Sequence, residues 1–330
     1  MNVLVAGGAG YIGSHTTKLL KSAGHHPVIY DNAHRGHKKV AGILGVPAVW
    51  ADLNDGLTLV KALRDHKIDV VLHFAAYAYV GESVDQPLLY YQNNVATTIN
   101  VLQAMEAAGV NKFVFSSTCA VYGDPEAIPI TEDQRKLPVS PYGRSKLMVE
   151  QILTDYAAAN KQFSFAALRY FNASGCAMDG TIGEDHDPET HLIPVILQTL
   201  MGQRPSMQMF GTDYPTPDGT NVRDYIHVDD LADAHIKAME KLTPGKTIFC
   251  NLGTGNGFSN RQIIAAAEKV AGKKVPVIEK PRRAGDAIAL YANPARAREI
   301  LGWEAKYKDP EQIIRSAWNW FSKHPNGYGE

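Results

Sequence analysis

The chain has 330 residues, of which 45% are hydrophobic and 20% charged, and its formal net charge is −1. This composition is typical of an ordinary soluble protein, and it excludes the strong positive charge that binding to nucleic acid or to an anionic membrane requires. No apolar run approaches the length of a membrane span, the three cysteines fit a reducing compartment, and the amino terminus lacks the features of a signal peptide. We therefore expect a cytoplasmic protein without a nucleic-acid or membrane partner.

A glycine-rich loop follows the first predicted strand. The apolar run 3–6 leads into three evenly spaced glycines, and a helical pattern then extends from Tyr11 to about Ala23. Glycine permits a tight turn, close approach of the backbone to a pyrophosphate and close packing of helix against strand. Free amides at the helix N-terminus would bind the anion. The loop residues predicted to bind a dinucleotide are Gly7, Gly10, Tyr11, Ile12 and Gly13.

An acidic residue ends the second predicted strand. The apolar run 27–30 stops at Asp31, where a carboxylate can accept hydrogen bonds from the hydroxyls of an adenosine ribose. Its negative charge repels a 2′-phosphate, so Asp31, with Asn32 beside it, favours NAD over NADP. The basic residues between His34 and Lys38 leave binding of that phosphate open.

Strands and helices continue to alternate along the first half of the chain. Further strands are predicted at 48–51, 70–76, 113–118 and 163–171, with helices at 57–66 and 87–108. This pattern predicts an α/β fold with a doubly wound parallel sheet of the Rossmann type, whose ligands bind beyond the carboxyl ends of the strands. Residues at those ends, together with one on the 87–108 helix, complete the predicted cofactor site: Asp52, Leu53, Phe74, Ala75, Ala76, Asn93 and Ser116.

A tyrosine and a lysine four residues apart are the candidate catalytic pair. Ser140 and Pro141 favour the start of a helix, which would place Tyr142 and Lys146 on one face. A phenol has a reference pKa of about 10, and a neighbouring ammonium favours its phenolate form. The Thr118 hydroxyl, at the end of a strand, could bind the same substrate oxygen. The pair is therefore predicted to transfer a proton.

The second half of the chain has a looser pattern. We expect a helix at 193–200, a helix capped by Asp229, a strand at 248–252 and helices opened by Ser259 and Pro310. These elements predict a second, smaller α/β domain. The proposed boundaries are 1–171 and 172–330, and a segment at about 221–255 could return to the first domain.

A local group of charged residues is predicted to bind no metal. Asp185, His186, Asp187, Glu189 and His191 lie close together in the sequence, but their spacing matches no common metal site. We interpret them as a solvated loop.

Several longer motifs resemble those of a known family. The glycine loop, Asp31, the set Thr118, Tyr142 and Lys146, and the run 170–172 resemble the extended short-chain dehydrogenase/reductases that act on nucleotide sugars. Within that family, the similarity to the 4-epimerases of UDP-hexoses extends over nearly the whole chain. The segments that carry it are 7–15, 73–76, 80–84, 90–95, 140–150 and 219–228.

The resemblance implies an isomerase with NAD as its cofactor and a homodimeric assembly. A tightly held NAD would take a hydride from carbon four of the hexose and return it to the other face, which interconverts UDP-glucose and UDP-galactose. Tyr142 would remove the hydroxyl proton with help from Thr118, while Lys146 would lower the pKa of the phenol and hold the nicotinamide ribose. The domain at 1–171 would bind NAD, and the domain at 172–330 the nucleotide sugar.

The resemblance also implies particular binding residues. Tyr170 would join the cofactor site, and the diphosphate would be bound by Asn172, Arg223 and Arg283. The uridine pocket would be lined by Leu192, Phe210 and Tyr225, and Asp286 would bind a ribose hydroxyl. His191 stands where relatives often carry asparagine. Leu290 occupies a position that influences whether N-acetylated sugars fit. Its intermediate size leaves UDP-GlcNAc open as a substrate.

The residues after Thr118 distinguish epimerisation from other reactions that this family catalyses. Nucleotide-sugar dehydratases carry Asp-Glu there, and UDP-glucuronate decarboxylases usually carry Glu at the second position. This chain has Cys119 and Ala120, which disfavours both reactions. A protein that only senses a dinucleotide would be expected to lack Tyr142 or Lys146. Epimerisation of UDP-pentoses remains open, because no residue named above senses the hydroxymethyl group.

Overall fold

A computed structural model of the chain describes residues 1–283 and 286–329. The strands, in chain order, are β1 Asn2–Ala6, β2 His26–Asp31, β3 Ala48–Trp50, β4 Val70–His73, β5 Lys112–Thr118, β6 Ser164–Tyr170, β7 Asn172–Ser174, β8 Met207–Phe210, β9 Val222–Arg223, β10 Tyr225–His227, β11 Thr247–Leu252, β12 Phe258–Ser259, β13 Val277–Lys280 and β14 Ala289–Leu290.

Helices and strands alternate in the first half of the chain, as predicted, except that α4, α5 and α6 follow one another. In chain order they are α1 Tyr11–Ser22, α2 Lys39–Leu44, α3 Gly56–Asp65, α4 Val80–Asp85, α5 Pro87–Tyr90, α6 Thr97–Ala108, α7 Pro141–Ala159, α8 Leu192–Leu200, α9 Val228–Glu240, α10 Asn260–Ala271, α11 Ala295–Leu301 and α12 Pro310–Lys323. Among the described residues, no helix combines the length and the apolar character needed to cross a membrane.

Seven strands of the described residues form one parallel sheet. Its order is β11-β6-β5-β4-β1-β2-β3, and every neighbouring pair runs in the same direction. Both faces are covered, because alternate strand residues belong to two different apolar clusters, as Leu4 and Val3 do. The predicted doubly wound fold is confirmed. The strand at one edge of the sheet, β11, comes from the predicted segment at 221–255. The domain boundaries stay a prediction.

Smaller sheets lie in the second half of the chain. They are the pair β10-β7, the three strands β12-β9-β14 and the pair β13-β8. Helices α8, α10 and α12 pack together around a separate apolar cluster that includes Ile196, Ile263 and Ile313. The predicted smaller α/β part is therefore confirmed as a feature of the fold. Because β7 follows β6 after a single residue, this part begins at the carboxyl end of the central sheet.

One local prediction is confirmed with a change, and one is wrong. The predicted helix at 87–108 is helical over those bounds, but its segment Tyr91–Ala96, which carries Asn93, is π-helical. The cap of α9 is His227, not Asp229: the backbone N–H of Asp229 donates to His227 Nδ1 at 3.1 Å. Burial lowers the pKa of His227 to about 3, so the ring is neutral and its Nδ1 can accept this hydrogen bond.

A buried ion pair fastens α7 to the sheet. Glu150 on α7 accepts from Arg169 Nε on β6 at 2.8 Å and from Arg169 Nη2 at 2.7 Å. Ser117 at the end of β5 donates to the same carboxylate at 2.6 Å. Both charged side chains are almost fully buried, at 3% and 2% exposure, so each depends on the other for compensation. The pair therefore links three elements at the edge where ligands are expected.

Breaking this pair should destabilise the protein strongly. We expect Arg169→Met to lower the free energy of unfolding by about 3–5 kcal/mol, because the Glu150 carboxylate would be buried without a partner. Urea denaturation followed by circular dichroism measures the change. Lys61→Met, which removes an exposed Lys61–Asp65 pair, is the control and should cost less than about 1 kcal/mol. Equal losses in the two variants would contradict the assignment.

Candidate active site

The glycine loop forms a cradle that only glycine can build. Gly7 has a φ of +79°, and a Cβ atom there would lie 2.5 Å from the backbone nitrogen of Ala75. A Cβ atom on Gly13 would lie 2.1 Å from the carbonyl oxygen of Gly7. Helix α1 begins directly after Gly10, and no side chain of the described residues caps it. Its first amides are therefore left to bind an anion, and the pyrophosphate of a dinucleotide fits this loop.

Asp31 lies beside that loop with its carboxylate held in place. One oxygen accepts from the backbone of Ala9 at 3.0 Å and the other from that of Ala33 at 2.8 Å. Burial raises its pKa, and these two hydrogen bonds oppose the shift. Each carboxylate oxygen keeps a further acceptor site for a ribose hydroxyl. Arg35, one of the basic residues that left NADP open, is paired with Glu82 at 2.7 Å.

The remaining predicted cofactor residues line the same edge of the sheet. Asn32 donates to Asp52 at 2.9 Å, and Leu53 is buried next to them. The backbone nitrogens of Phe74 and Ala75 both donate to the carbonyl oxygen of Ala6, at 2.8 and 3.0 Å, which holds the ends of β1 and β4 together. On the π-helical turn, Asn93 donates to Asn94 at 3.0 Å. Ala76 directly follows Ala75. Tyr11 donates its hydroxyl to the carbonyl oxygen of Gly175, at 2.5 Å.

The candidate catalytic residues meet where β5 faces α7. The Ser140 hydroxyl accepts from the N–H of Gly143 at 3.1 Å and begins α7 as predicted. Tyr142 is 8% exposed, and the Thr118 hydroxyl lies close enough to its phenol to favour the phenolate form. Lys146 donates to the carbonyl oxygen of Ser116 at 2.8 Å.

Tyr170 completes this group from β6. Its hydroxyl lies 2.7 Å from Ser116 Oγ, in a hydrogen bond for which either oxygen can be the donor. On the neighbouring strands of the central sheet, Tyr170 is the register partner of Thr118, two residues beyond Ser116. The hydroxyl groups of Thr118, Ser116 and Tyr170 therefore lie at one end of the sheet, around the start of α7.

The electrostatics differ from the sequence-based prediction. Burial raises the pKa of Tyr142, and the hydrogen bond from Thr118 opposes this only in part. Burial also lowers the pKa of Lys146 to about 7, while the Glu150 carboxylate raises it. The expected lowering of the phenol pKa by Lys146 is therefore not seen, because desolvation outweighs the charge of a lysine that is bound to Ser116. The phenol stays protonated in this environment at neutral pH.

A second group of predicted residues meets around Asp286. Arg223 Nη2 lies 3.9 Å from one oxygen of its carboxylate, and Arg283 Nε lies 3.2 Å from the other. The Arg283 guanidinium also stacks over the ring of Phe210 at 4.7 Å. Two guanidinium groups and an aromatic face in one place are suited to a diphosphate linked to a base.

Asn172 and Tyr225 form a pair on neighbouring strands. They are register partners on β7 and β10, and Asn172 Nδ2 donates to the carbonyl oxygen of Asp224 at 3.2 Å. Tyr225 is buried, with its hydroxyl 3.4 Å from Asn260 Oδ1. Leu192 is the first residue of α8.

His191 precedes α8 and contacts a different group. Its Nδ1 lies 2.8 Å from Glu189 and 3.4 Å from Glu184, and its ring lies near that of His186. The interpretation of this segment as a solvated loop fits exposed Asp187 and His191 but is wrong for Glu189, whose side chain is only 3% exposed, as is that of nearby Glu184. Asp185 lies outside the group and bonds to the backbone of Tyr328.

Sequence reasoning missed several residues of the site. Glu150 supports Ser117 and lies four residues after Lys146, a spacing that could have indicated it. Asn94 binds both backbone groups of Tyr77, at 2.9 and 3.1 Å, and no local pattern signals that contact. Glu184 lies close to His186 and His191 because the loop between β7 and α8 folds back on itself, and no sequence pattern signals that contact.

Comparison with known proteins is consistent with this geometry. The model of the NAD dependent epimerase/dehydratase family matches residues 3–253. A UDP-glucose 4-epimerase of Lacticaseibacillus casei is 48% identical, over 100% of this chain and 99% of that protein. The crystal structure of UDP-glucose 4-epimerase from Brucella ovis in complex with NAD is 48% identical with a TM-score of 0.94, over 97% of this chain and 98% of the other.

A structure with a nucleotide in the second site is also similar. The UDP-glucose 4-epimerase from Bifidobacterium longum in complex with NAD+ and UDP is 39% identical, has a TM-score of 0.95 and covers 99% of this chain and 100% of its own. The chain thus resembles these proteins along its whole length.

The cradle predicts a sharp loss on substitution. We expect Gly13→Ala to abolish retention of NAD, because the new methyl group would lie 2.1 Å from the Gly7 carbonyl oxygen and displace the loop. Bound dinucleotide per chain, measured after purification and acid release, is the readout. Gly42→Ala is the matched control, since no atom lies within 4 Å of a Cβ there, and it should keep its NAD. Retention of NAD by Gly13→Ala would contradict the assignment of this loop.

Proposed function

The chain belongs to the NAD dependent epimerase/dehydratase family, and on this premise we propose that it interconverts UDP-glucose and UDP-galactose, with NAD as its resident cofactor. The observation that supports the proposal most strongly is the proximity of the Tyr142 phenol to the Thr118 hydroxyl at the end of β5, with Lys146 one helical turn further on. The glycine cradle lies at the same edge of the sheet. A phenol, a hydroxyl and a dinucleotide loop at one edge suit the oxidation of a secondary alcohol.

In the proposed mechanism, Tyr142 removes the proton of the hexose 4-hydroxyl and later returns it to the same oxygen. The 4-hydroxyl of the hexose binds between Tyr142 and the hydroxyl of Thr118, and the phenolate form of Tyr142 takes its proton. When bound, NAD⁺ supplies a hydride acceptor and a positive charge. Because burial raises the pKa of Tyr142, loss of its proton depends on added positive charge in the site. Tyr142 would return the proton to the same oxygen when the alcohol is formed again with the opposite configuration.

Lys146 serves this step as a fixed cation. Its ammonium donates to the carbonyl oxygen of Ser116 and lies 4.7 Å from the ring of Phe115, so the side chain has a defined direction. Two of its three N–H groups are available to a ribose hydroxyl. Glu150, one helical turn further on, favours the charged form of Lys146. We propose that Lys146 orients the nicotinamide ribose and adds to the positive potential around Tyr142.

Epimerisation requires that the nucleotide is held while the sugar turns. We propose that Arg223, Arg283 and Asn172 bind the diphosphate, where guanidinium groups give charge-assisted hydrogen bonds. Asp286 would then bind a ribose hydroxyl. The residues proposed to contact the uridine are Leu192, Phe210, Tyr225 and, by position, His191. With binding energy concentrated on the nucleotide, the keto sugar is free to rotate and present its other face.

Dehydration and decarboxylation are disfavoured as second functions. Elimination of water needs an acid-base group after Thr118, and Ala120 has none. Burial raises the pKa of the Cys119 thiol to about 12, so it stays protonated. UDP-GlcNAc remains an alternative substrate of the same reaction, because half-buried Leu290 is of intermediate size. UDP-pentoses also remain alternatives, because no residue named above senses the hydroxymethyl group.

We also propose that the protein acts as a homodimer in the cytoplasm. Exposed apolar side chains lie on α4, α5 and α7, three helices that pack against one another: Val80, Val84, Leu88, Leu89 and Met148. An apolar surface of this kind is typical of a contact between protein chains. A second copy related by two-fold symmetry would cover it.

Substitution of the phenol tests the catalytic assignment. We expect Tyr142→Phe to retain bound NAD and to lose turnover by a factor of about 10²–10⁴, the usual contribution of a general acid-base group. Purified protein is incubated with UDP-galactose without added cofactor, and UDP-glucose is followed by NMR, with UDP-GlcNAc and UDP-xylose in parallel. Tyr156→Phe, which removes a hydroxyl from the same helix, is the control. Full activity of Tyr142→Phe would show that another group is the base.

Charge on the apolar surface tests the dimer. We expect two copies per particle by sedimentation equilibrium, and single copies for the double variant Val84→Lys/Leu88→Lys, because two buried ammonium groups oppose association. Ile278→Lys, at an exposed apolar position on β13, should leave the dimer intact. A monomeric native protein would refute the proposal.

A further inference from the structure

Two glutamates and two histidines converge beside the nucleotide cleft. Glu184, His186, Glu189 and His191 lie between β7 and α8, and one ligand atom from each lies within 4.8 Å of all the others. The group is enclosed on one side by Tyr11 of the cofactor loop, whose ring is 5.8 Å from that of His186. This is a set of nitrogen and oxygen donors outside the catalytic group.

The histidine-to-carboxylate distances are close to those of a tetrahedral metal site, and the four ligand atoms all lie within 4.8 Å of one another. His186 Nδ1 lies 3.2 Å from Glu184 Oε1 and 3.5 Å from Glu189 Oε2. His191 Nδ1 lies 3.4 Å from Glu184 Oε1 and 2.8 Å from Glu189 Oε1. Four ligands at the usual zinc distances would be roughly 3.3 Å from one another. Closing on an ion therefore needs only small side-chain movements.

The Nδ1 atom of His186 is placed to bind a metal ion. Its Nδ1 is shielded from solvent, has carboxylate oxygens nearby, and yet makes no hydrogen bond of good geometry within the described residues. An imidazolium paired with a carboxylate would aim its N–H at one oxygen. A nitrogen that points between two carboxylates has the direction of a metal ligand.

Burial and charge also favour a cation at this position. The side chains of Glu184 and Glu189 are each only 3% exposed. In the described part of the chain, neither carboxylate forms an ion pair with a lysine or an arginine. Two buried carboxylates and one divalent ion make a neutral group. His191 is 44% exposed, which gives an ion a route from solvent.

We propose that these four side chains bind one divalent transition-metal ion of the zinc class. Imidazole nitrogens together with carboxylate oxygens suit zinc and its neighbours better than magnesium or calcium, which prefer oxygen donors alone. Four protein ligands leave no open position, so the ion is structural and takes no part in hydride or proton transfer. It joins the 184–189 loop to the start of α8 and so fixes the position of Leu192.

Metal content is the direct test. Chain freed of any purification tag is grown with zinc and dialysed, and elemental analysis should find one zinc ion per chain. His186→Ala should contain none, while His26→Ala, at an exposed histidine of β2, should keep the ion. Cobalt-loaded protein should show the strong visible absorption of a tetrahedral site, and Glu189→Gln should lose it.

The outcomes separate this proposal from the proposed function. Metal content and the cobalt spectrum do not depend on turnover, so they stand even if the epimerase assignment fails. Glu189→Gln conserves shape, and its bound NAD shows whether the chain is folded. A native protein without zinc that also gives no cobalt spectrum would overturn the proposal and leave a histidine–glutamate ion-pair cluster. The proposal also fails if a chelator leaves the melting temperature unchanged and native and His186→Ala proteins bind equal amounts of zinc.

Discussion

The hydrogen bond from Lys146 to the carbonyl oxygen of Ser116 is the contact on which the candidate site depends. It joins α7 to the end of β5, and the buried pair of Glu150 and Arg169 reinforces the same junction. A lysine that is almost fully buried needs such a partner, because desolvation alone would favour its neutral form. Since Tyr142 lies one turn before Lys146, this junction also sets where the phenol stands.

The same burial explains the chemistry. A phenol in a dry site has a raised pKa, and it becomes a base only when positive charge is brought near it. In the proposed mechanism that charge arrives with the oxidised cofactor, so proton removal and hydride removal are coupled. In the same proposal, the Thr118 hydroxyl binds the substrate oxygen beside the phenol.

The second half of the chain completes the cleft. Arg223 on β9 meets Arg283 and Asp286, which come after β13, and the histidine–glutamate group lies between β7 and α8. The first group offers charge to a diphosphate. The second lies against Tyr11 and so connects the nucleotide-sugar side to the cofactor loop. If an ion binds there, it would stabilise the position of α8 without entering the reaction.

The sequence by itself determined the features that depend on neighbouring residues. Glycine spacing specified the cradle, apolar runs specified the strands of the sheet, and the i, i+4 spacing placed Tyr142 beside Lys146. Tertiary structure decided what depends on distant residues and on burial. Only the fold brought Glu184 to His191, turned Lys146 toward Ser116 and made His227 a neutral helix cap. The reason is physical: pairing across a fold and loss of solvent set these contacts and pKa values, and neither is encoded in local spacing.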